Sequence, residues 1–266
     1  MNGQDIKWSD LAFATLSLII PTFIFLKYKT ALLKPMLIAF ARMIVQLLLI
    51  GIYLKYIFEI NSIIVNFCWV IVMIIAASIT IIQRANLSAN LFFIHFFQAI
   101  FISVIFNTLI YAFILQNTKE FFNARYIIPI LGMLIGNGLS SGIIAIRTFY
   151  NSIYIQKEFY QYRIIMSSNR KEVTEPIVGM SLKEAFEPSI GSTATIGLIW
   201  LPGMMTGQIL GGSDPIISIK YQISIIIAIF VGNVLTALLS IIFTSKIAFN
   251  RYDNLKSIFK IKEKRK

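Results

Sequence analysis

The sequence contains few charged residues. Only 14% of its 266 residues are Asp, Glu, Lys or Arg, whereas about a quarter is usual for a soluble domain. Hydrophobic residues make up 57% of the chain, and the mean hydropathy is +0.77. This balance excludes an ordinary soluble domain and predicts an integral membrane protein.

Cysteine and histidine occur once each, as Cys68 and His95. One cysteine excludes an internal disulfide, and the pair is too small a set for the usual zinc sites. We interpret Cys68 as a packing residue and His95 as a core histidine. The sequence also lacks a phosphate-binding loop, paired carboxylates and a Ser/His/Asp set, so it predicts neither an enzyme nor a bound cofactor.

Seven apolar stretches are long enough, or nearly so, to cross a membrane, which takes about 20 residues per helix. They are residues 8–26, 36–54, 63–82, 91–115, 126–146, 189–211 and 221–245. The predicted fold is therefore all-α, a polytopic bundle of about seven transmembrane helices in a single domain over residues 1–266. Pro202 leaves open whether the sixth stretch is continuous, split into half-helices or re-entrant.

Positive charges are divided unequally between the two sets of connections. Of the 24 Lys and Arg residues, 18 fall on one set of loops and the C-terminus, 5 fall on the other set, and Arg42 lies within a span. Since Lys and Arg accumulate on the cytoplasmic side, we expect an outside N-terminus and a cytoplasmic C-terminus, in the plasma (bacterial inner) membrane. The net charge of +12 then reflects topology rather than nucleic-acid binding, and the basic tail at 246–266 is expected to contact anionic lipid.

One long connection, residues 147–188, is expected on the cytoplasmic side. Val178-Gly179 predicts a turn within it. Ser181 precedes Glu184 by three residues, a pattern typical of the capping box that begins a short helix. The segment is interpreted either as a short helix projected by a loop or as a surface linker.

Glycines recur at every fourth position in the fifth and sixth stretches. This spacing forms a face of small residues, against which a second helix backbone can pack closely. The packing residues predicted on this basis are Gly132, Gly136, Pro202, Gly203, Gly207 and Gly211. The two faces are expected to pack against each other or against a second subunit.

Polar side chains within spans are candidates for a substrate pathway. Arg42 is the one charged side chain deep in a span, and Gln46 shares its helix face. Either the two line a path for an anionic or liganded substrate, or Arg42 is a structural lock to backbone carbonyls. Asn137 and Gln208 are predicted to join the pathway, with interhelical hydrogen bonds as the alternative role.

The segment at 197–223, GLIWLPGMMTGQILGGSDPIISIKYQI, resembles the signature GLVSLPGMMTGQILAGVDPLxAVxYQI. That signature belongs to the small permease subunits of the iron-export and aluminium-tolerance ABC transporters, which form one uncharacterised protein family. Residues 128–146, IPILGMLIGNGLSSGIIAI, are similar to IPLLGMxxGNxMxGISLAL of that family, and its R-x-x-x-Q-L pattern recurs at Arg42 and Gln46. The resemblance covers nearly the whole chain in the same order.

The resemblance implies a homodimeric permease that docks a separate cytosolic ABC ATPase and works in metal (iron) export or metal tolerance. The family's docking loop Leu-Ala-Leu-Gly-Ala-Thr falls on residues 176–181, where only Gly179 and Ser181 keep its pattern. The predicted coupling residues are Gly179, Ser181, Lys183, Glu184, Ala185 and Phe186. In this prediction Ala185 and Phe186 fill a groove of the ATPase.

Two questions stay open at this point. An ATP-independent ion-coupled carrier, a channel or a seven-span receptor is the alternative to an ABC permease, although the spans offer only Arg42 and His95 as titratable groups. The cargo is also open. The lack of carboxylate clusters in the spans counts against a site for a bare hard cation, and it leaves a chelated metal or an organic anion.

Overall fold

A computed structural model of the chain describes residues 7–114, 123–167 and 169–256. The helices of these residues are α1 (Trp8–Leu16), α2 (Ile19–Lys27), α3 (Leu33–Ile60), α4 (Ile63–Arg84), α5 (Ala89–Ile114), α6 (Ala124–Ile155), α7 (Lys157–Ser167), α8 (Arg170–Thr195), α9 (Gly203–Leu210) and α10 (Pro215–Ala248). The predicted all-α membrane bundle is confirmed. Residue 115 of the predicted fourth span and residues 257–266 of the predicted basic tail lie outside the described residues.

Six helices of the described chain are long and apolar enough to cross a membrane. They are Ser9–Lys27, Leu33–Ile60, Ile63–Arg84, Ala89–Tyr111, Ala124–Ile155 and Pro215–Ala248. The first two have no buried residues in their most apolar windows and lie at the edge of the bundle. The core is formed by α4, α5, α6 and α10, with α8 packed against α6 and α10.

The two longest helices define the two ends of the bundle. α6 has 32 residues and α10 has 34, so each is about 50 Å long. At one end the Tyr150 hydroxyl donates to Thr244 Oγ1 over 2.7 Å. At the opposite end the backbone N–H of Ala124 donates to Asn61 Oδ1 over 2.9 Å. We call the first of these the α7 end, since α6 leads directly into α7 there.

A glycine sets the close approach of α5 and α10. A Cβ at Gly232 would lie 2.5 Å from Asn107 Nδ2, a distance that no side chain can occupy without displacing Asn107. The absent side chain also lets Ser103 Oγ donate to the Gly232 carbonyl over 2.8 Å. This hydrogen bond satisfies a hydroxyl that is only 3% exposed in the apolar core.

The turn predicted at Val178-Gly179 is wrong, because α8 is continuous from Arg170 to Thr195. The N-cap is Asn169, whose Oδ1 accepts from the N–H of Lys171 over 3.0 Å. Ser181 is fully buried and donates to the Ile177 carbonyl over 2.6 Å, so it caps no helix. The capping-box pattern was misleading because serine can also bond back to its own helix.

The predicted partner contact through Ala185 and Phe186 is also wrong. Both side chains are buried in the core, where the Phe186 ring meets that of Phe230 edge-on, with 5.8 Å between centroids. Lys183 and Glu184 are exposed, and Glu184 Oε2 accepts from the Thr148 hydroxyl over 2.6 Å. The apolar residues of this segment therefore hold α8 against the bundle.

The predicted sixth span is not one helix but two pieces joined by a loop at 196–202. Gly197 adopts a φ of +84°, in the left-handed region that glycine tolerates best, and its N–H donates to the Trp200 carbonyl over 3.0 Å. Pro202 then stands at the N-cap of α9. Because α8 begins at the α7 end and α10 begins at the opposite end, the chain crosses the bundle here along a broken path.

The two predicted glycine faces do not pack together within one chain. A Cβ at Gly136, Gly203 or Gly207 would meet nothing within 4 Å, and one at Gly132 would meet only the sulfur of Met73, at 3.8 Å. α9 packs mainly against α10. Close packing of these faces against a second subunit stays a prediction.

The α7 end projects beyond the level at which α4 stops. Ile81 Cδ1 lies 3.5 Å from the Cβ position of Gly142, so α4, which ends at Arg84, stops about one turn further on, near Arg147. From Arg147, α6 continues for eight residues to Ile155, or about 12 Å. α7 therefore lies well beyond the end of α4.

This projecting end is held together by polar contacts to the segment after α10. Asp253 accepts a hydrogen bond from Tyr160 at its carbonyl and pairs with Arg170 at its carboxylate, each over 3.1 Å. Burial, reinforced by the Asp253 carboxylate, raises the pKa of the Tyr160 hydroxyl to about 12, so it stays protonated and donates. Gln161 Nε2 adds a 2.9 Å bond to Asn254. α7 and the start of α8 are thus both fixed to the segment that follows α10.

Two glycine substitutions test the path of the sixth crossing. We expect Gly179→Ala to stabilise the protein by about 0.5–1 kcal/mol, because alanine is favoured in a helix interior. Gly197→Ala should destabilise it by about 1–2 kcal/mol, because alanine is strained at positive φ. Neither added Cβ would meet an atom within 4 Å, so the two variants differ only in backbone conformation. The measurement is the thermal unfolding midpoint of the purified protein, and a loss of stability in Gly179→Ala would contradict a continuous α8.

Candidate functional site

A polar cleft of about 540 Å³ lies between α6, α8, α9 and α10. Asn137 is 13 residues into α6 and Asn233 is 18 residues into α10, so the cleft lies about 20–27 Å from the start of these helices, near mid-bundle. The polar side chains that line it are Asn137, Ser140, Ser141, Ser189, Ser192, Thr193, Gln222 and Asn233.

The break in the sixth crossing produces this cleft. At its floor, Ala185 of α8 fits against the bundle. About two turns further on, α8 lines the open space with Ser192 and Thr193, and the helix ends at Thr195. Trp200 and Pro202 of the following loop form part of the wall. A straight helix through 189–211 would leave no such loop to form a wall.

The lining mixes these polar side chains with apolar ones and is uncharged: none of the described residues that line the cleft is Asp, Glu, Lys, Arg or His. In addition, no group of three His, Cys, Asp or Glu residues suited to a metal ion exists in the described part of the chain. Two thioethers, those of Met133 and Met204, also face the cleft. The described lining therefore offers hydrogen-bonding groups but no carboxylate, amine or imidazole.

Gln222 and Asn233 are 8% and 5% exposed, and both belong to α10. Gln222 Oε1 and Asn233 Oδ1 are buried without a hydrogen-bond partner among the described residues. An unpaired buried acceptor costs about 1–3 kcal/mol. Neither oxygen has a surface that a ligand in the cleft could reach, and Asn233 Oδ1 lies 3.1 Å from the Cβ position of Gly138 on α6.

Two helix ends of opposite polarity open on the cleft. The last turn of α8 contributes Ser192 and Thr193, and the first turn of α9 contributes Gly203 and Met204. No side chain caps the N-terminus of α9. A helix C-terminus carries partial negative charge and an N-terminus partial positive charge, so the two ends largely offset each other.

The structure does not bring the four predicted pathway residues together in one chain. Asn137 lines the cleft. Arg42 and Gln46 are exposed on α3, and the described residues give Arg42 no hydrogen bond or ion pair. Gln208 is half-buried on α9 and is not part of the lining. A pathway through Arg42 or Gln208 stays a prediction that a second subunit would have to complete.

Sequence reasoning missed the most buried polar residues of the cleft. Gln222 lies in the quoted signature and Asn233 stands in the middle of an apolar helix, so both carried a signal: an amide with no polar neighbour in a span. The hydroxyls of Ser189, Ser192 and Thr193 gave a weaker signal, because serine and threonine are common in membrane helices.

Comparisons with known proteins agree on one family. The model of the family described as "Uncharacterised protein family (UPF0014)" matches residues 8–249. The chain is 30% identical over 258 residues to the "Probable iron export permease protein FetB" of Escherichia coli (strain K12), a match covering 96% of this chain and 95% of that protein. No solved structure matches the chain at a significant level.

Two further relatives are similar at the same level. The chain is 29% identical over 248 residues to the "UPF0014 membrane protein YjkA" of Bacillus subtilis (strain 168), covering 93% of this chain and 97% of that protein. It is 31% identical over 196 residues to the "Protein ALUMINUM SENSITIVE 3" of Arabidopsis thaliana, covering 71% of this chain and 67% of that protein.

The cleft should admit water, and thiol labelling tests this. In a Cys68→Ser background, we expect Ser192→Cys to react readily with a charged, water-soluble thiol reagent, because position 192 is exposed in the cleft. Ser240→Cys is the matched control, since Ser240 is fully buried in the core and should react far more slowly. Labelling is measured by mass spectrometry of the purified protein. Equal labelling rates for the two variants would contradict an open cleft.

Proposed function

The chain belongs to the Uncharacterised protein family UPF0014, and from this premise we propose that it is the membrane-spanning permease subunit of an ABC exporter. In this proposal residues 1–266 form one permease domain. The subunit moves a metal cargo, iron in the first instance, out of the cytoplasm or into a compartment that confers metal tolerance. A separate ATPase supplies the energy.

The uncharged polar cleft is the observation that carries this proposal. Transporters commonly bind their substrates near the bilayer midplane, where a discontinuous helix exposes polar backbone ends. The sixth crossing has this form, and eight polar side chains line the space beside it. An enzyme that used a hydroxyl of this lining as its nucleophile would need a general base beside it, and no described residue of the lining supplies one.

The names of two relatives support metal as the cargo. That of the Escherichia coli relative refers to iron export, and that of the Arabidopsis relative refers to aluminium sensitivity. Both names point to metal handling, and the Escherichia coli relative is named a permease. An ion-coupled carrier is less well supported, because no described residue of the cleft lining titrates in a way that would couple a proton to transport.

In this proposal the ATPase partner docks on an exposed row of apolar side chains at the α7 end. This row replaces the segment around Ala185 and Phe186 as the docking site. Ile155, Phe159, Tyr162 and Met166 follow the i, i+4, i+7, i+11 spacing that places them on one helical face, although α6 ends at the first of them. Their exposed fractions range from 57% to 79%. We call these four residues the α7 face.

Two observations favour a soluble protein over lipid as the occupant of the α7 face. α6 carries it about 12 Å past Arg147, which marks the level at which α4 stops. α8 begins further out still, since Arg170 lies 14 residues, about 21 Å, before Glu184, which contacts Thr148. A face so far from the apolar layer is placed to contact a cytosolic subunit.

The orientation and assembly follow from the same proposal. The α7 end faces the cytoplasm with the C-terminus, and the N-terminus lies outside, in the bacterial inner (plasma) membrane. Two copies form a homodimer, and the exposed apolar loop residues Leu198 and Ile199 are candidates for burial between them. Lipid covers the remaining apolar surface, and no nucleic acid is involved.

The transport role is tested by ATP-driven metal movement in proteoliposomes that contain this chain and the ATPase that co-purifies with it. We expect uptake of Fe²⁺ that requires ATP. Asn137→Leu removes a polar group from the cleft and should lower the rate about three- to tenfold, the effect of one lost hydrogen bond. Gln208→Leu, the same change outside the cleft lining, should leave it unchanged. Metal movement without ATP or without the ATPase would overturn the proposal.

Docking on the α7 face is tested by Phe159→Asp, which places a charge among its exposed apolar residues. We expect the variant to fold and insert normally, because Phe159 is 57% exposed, but to lose the co-purifying ATPase. Phe159→Leu keeps the residue apolar and serves as the control that should retain the partner. Pull-down of the ATPase by both variants in equal amounts would contradict this docking site, whatever the cargo.

A further inference from the structure

A second cavity, of about 180 Å³, lies between α4, α5 and α6. We infer that it is a binding site for one acyl chain of a membrane lipid. The acyl chain enters from the bilayer and lies along α4, with its inner side against α6. This site goes beyond the proposed function, because the cavity shares no lining residue with the polar cleft.

The wall of this cavity is almost wholly apolar. Ten of the twelve described residues that line it are isoleucine, leucine, valine or phenylalanine, and the other two are Asn66 and Thr108. Asn66 is only 2% exposed, and Thr108 Oγ1 donates to the Val104 carbonyl of its own helix over 2.7 Å. A water molecule in a cavity needs about two to four polar partners, and this wall offers too little polar surface to supply them. The chemistry of the wall therefore selects an apolar occupant.

The size of the cavity also suits an apolar ligand. An engineered cavity of about 150 Å³ lined by Leu, Ile and Phe stays dry and binds benzene or xenon. The cavity between α4, α5 and α6 is slightly larger and is lined by the same residue types together with valine. If it were empty, its wall atoms would lack contacts on one side, which lowers stability. An apolar ligand restores those contacts.

The cavity is elongated along the helices that form it. Its lining extends from Ile63 to Ile74 on α4, about 16 Å, and from Phe101 to Leu109 on α5, about 12 Å. Both helices are long and apolar enough to cross a membrane, so the cavity runs in the direction in which the acyl chains of a bilayer extend. This shape favours an extended chain over a compact solute.

One side of the cavity lies on the surface of the bundle. Phe67, Ile105 and Leu109 line it and are 57%, 42% and 65% exposed. At the inner wall, Ile74 and Leu131 are 0% and 2% exposed. The cavity therefore extends from the apolar surface that faces the bilayer to the packed interior, and a lipid has a direct way in.

The described part of the chain leaves this side open. α3 meets α4 at Trp69, whose ring centroid lies 4.6 Å from that of Tyr53, and Trp69 does not line the cavity. The candidates for contact with a second copy, Leu198 and Ile199, lie in the loop before α9 and not on α4 or α5. No described residue of the lining is charged, as a docking site for a soluble protein would usually require at its rim. Lipid is the occupant that these observations favour.

Photolabelling by a lipid tests the inference. The protein is placed in nanodiscs of phosphatidylcholine that carries a diazirine on one acyl chain, irradiated, digested and analysed by mass spectrometry. We expect adducts on Ile74 and Leu131 of the inner wall as well as on the exposed Phe67. Ile81 is the internal control, because it is fully buried on α4 but does not line this cavity, so it should carry no adduct.

The pattern of adducts decides between the occupants. Adducts on Phe67 with none on Ile74 and Leu131 would mean that lipid covers only the surface, and this would overturn the inference. Adducts on none of these three residues would show that a second copy or another protein covers the cavity, and this would overturn it as well. Neither result involves the ATPase or the cargo, so the proposed function is unaffected by them.

A cavity-filling substitution separates binding inside the cavity from contact at its surface. Val70 lines the cavity and is 5% exposed, so the ring of Val70→Phe has room to enter the space. We expect this variant to fold and to lose the adducts on Ile74 and Leu131; Val70→Leu, a smaller increase, replaces it if it does not fold. Val72→Phe is the matched control, because Val72 is 51% exposed on the same helix and outside the lining, and it should keep both adducts. Inner adducts that persist when the cavity is filled would overturn the inference.

Discussion

The structure depends on one constraint: a backbone inside a membrane must satisfy its own hydrogen bonds. A loop at mid-depth is therefore permitted only where other groups take over from the helix. At 196–202 they do, since Gly197 N–H reaches the Trp200 carbonyl and the N–H groups of Leu198 and Ile199 reach the Thr195 carbonyl. These bonds allow the sixth crossing to open, and the opening is what gives the bundle a polar interior.

The side chains that line this polar interior are uncharged. The hydroxyls and amides that line it are placed by α6, α8 and α10, whose apolar faces pack closely elsewhere. Charged residues lie outside this lining, as at the α7 end, where Arg170 pairs with Asp253. The cleft thus presents dipoles rather than fixed charges, an arrangement that lowers the cost of leaving it empty.

Much of the fold could be predicted from the sequence, because hydropathy reports directly on which segments enter a membrane. Six predicted spans correspond to helical segments long and apolar enough to cross a membrane, and the uncertainty about Pro202 marked the true break. Local signals failed in α8, where a glycine and a capping pattern predicted a turn at 178–179. Packing of Phe186 against Phe230 overrode both, and no periodicity in this proline-containing, mixed-charge segment revealed it.

The candidate site was harder to predict, for a physical reason. Its position depends on where a helix stops and what then lies opposite, which is a property of three helices rather than of one sequence motif. Asn137 was recognised as a polar residue in a span, whereas the burial of Gln222 and Asn233 beside the cleft became evident only in the fold. Arg42, the most conspicuous residue of the sequence, lies on a helix that the single chain leaves largely uncovered.

The continuity of α8 gives the molecule a mechanical property. The helix reaches from the α7 end to the cleft as one rod of 26 residues, about 39 Å, and Phe186 fastens it to the bundle between its ends. Sixteen residues, about 24 Å, precede that point and nine, about 14 Å, follow it. Because Val173, Ser181 and Ala185 are buried as well as Phe186, the bundle holds the helix along most of this length, and the α7 end is joined to the cleft by continuous helix rather than by a loop.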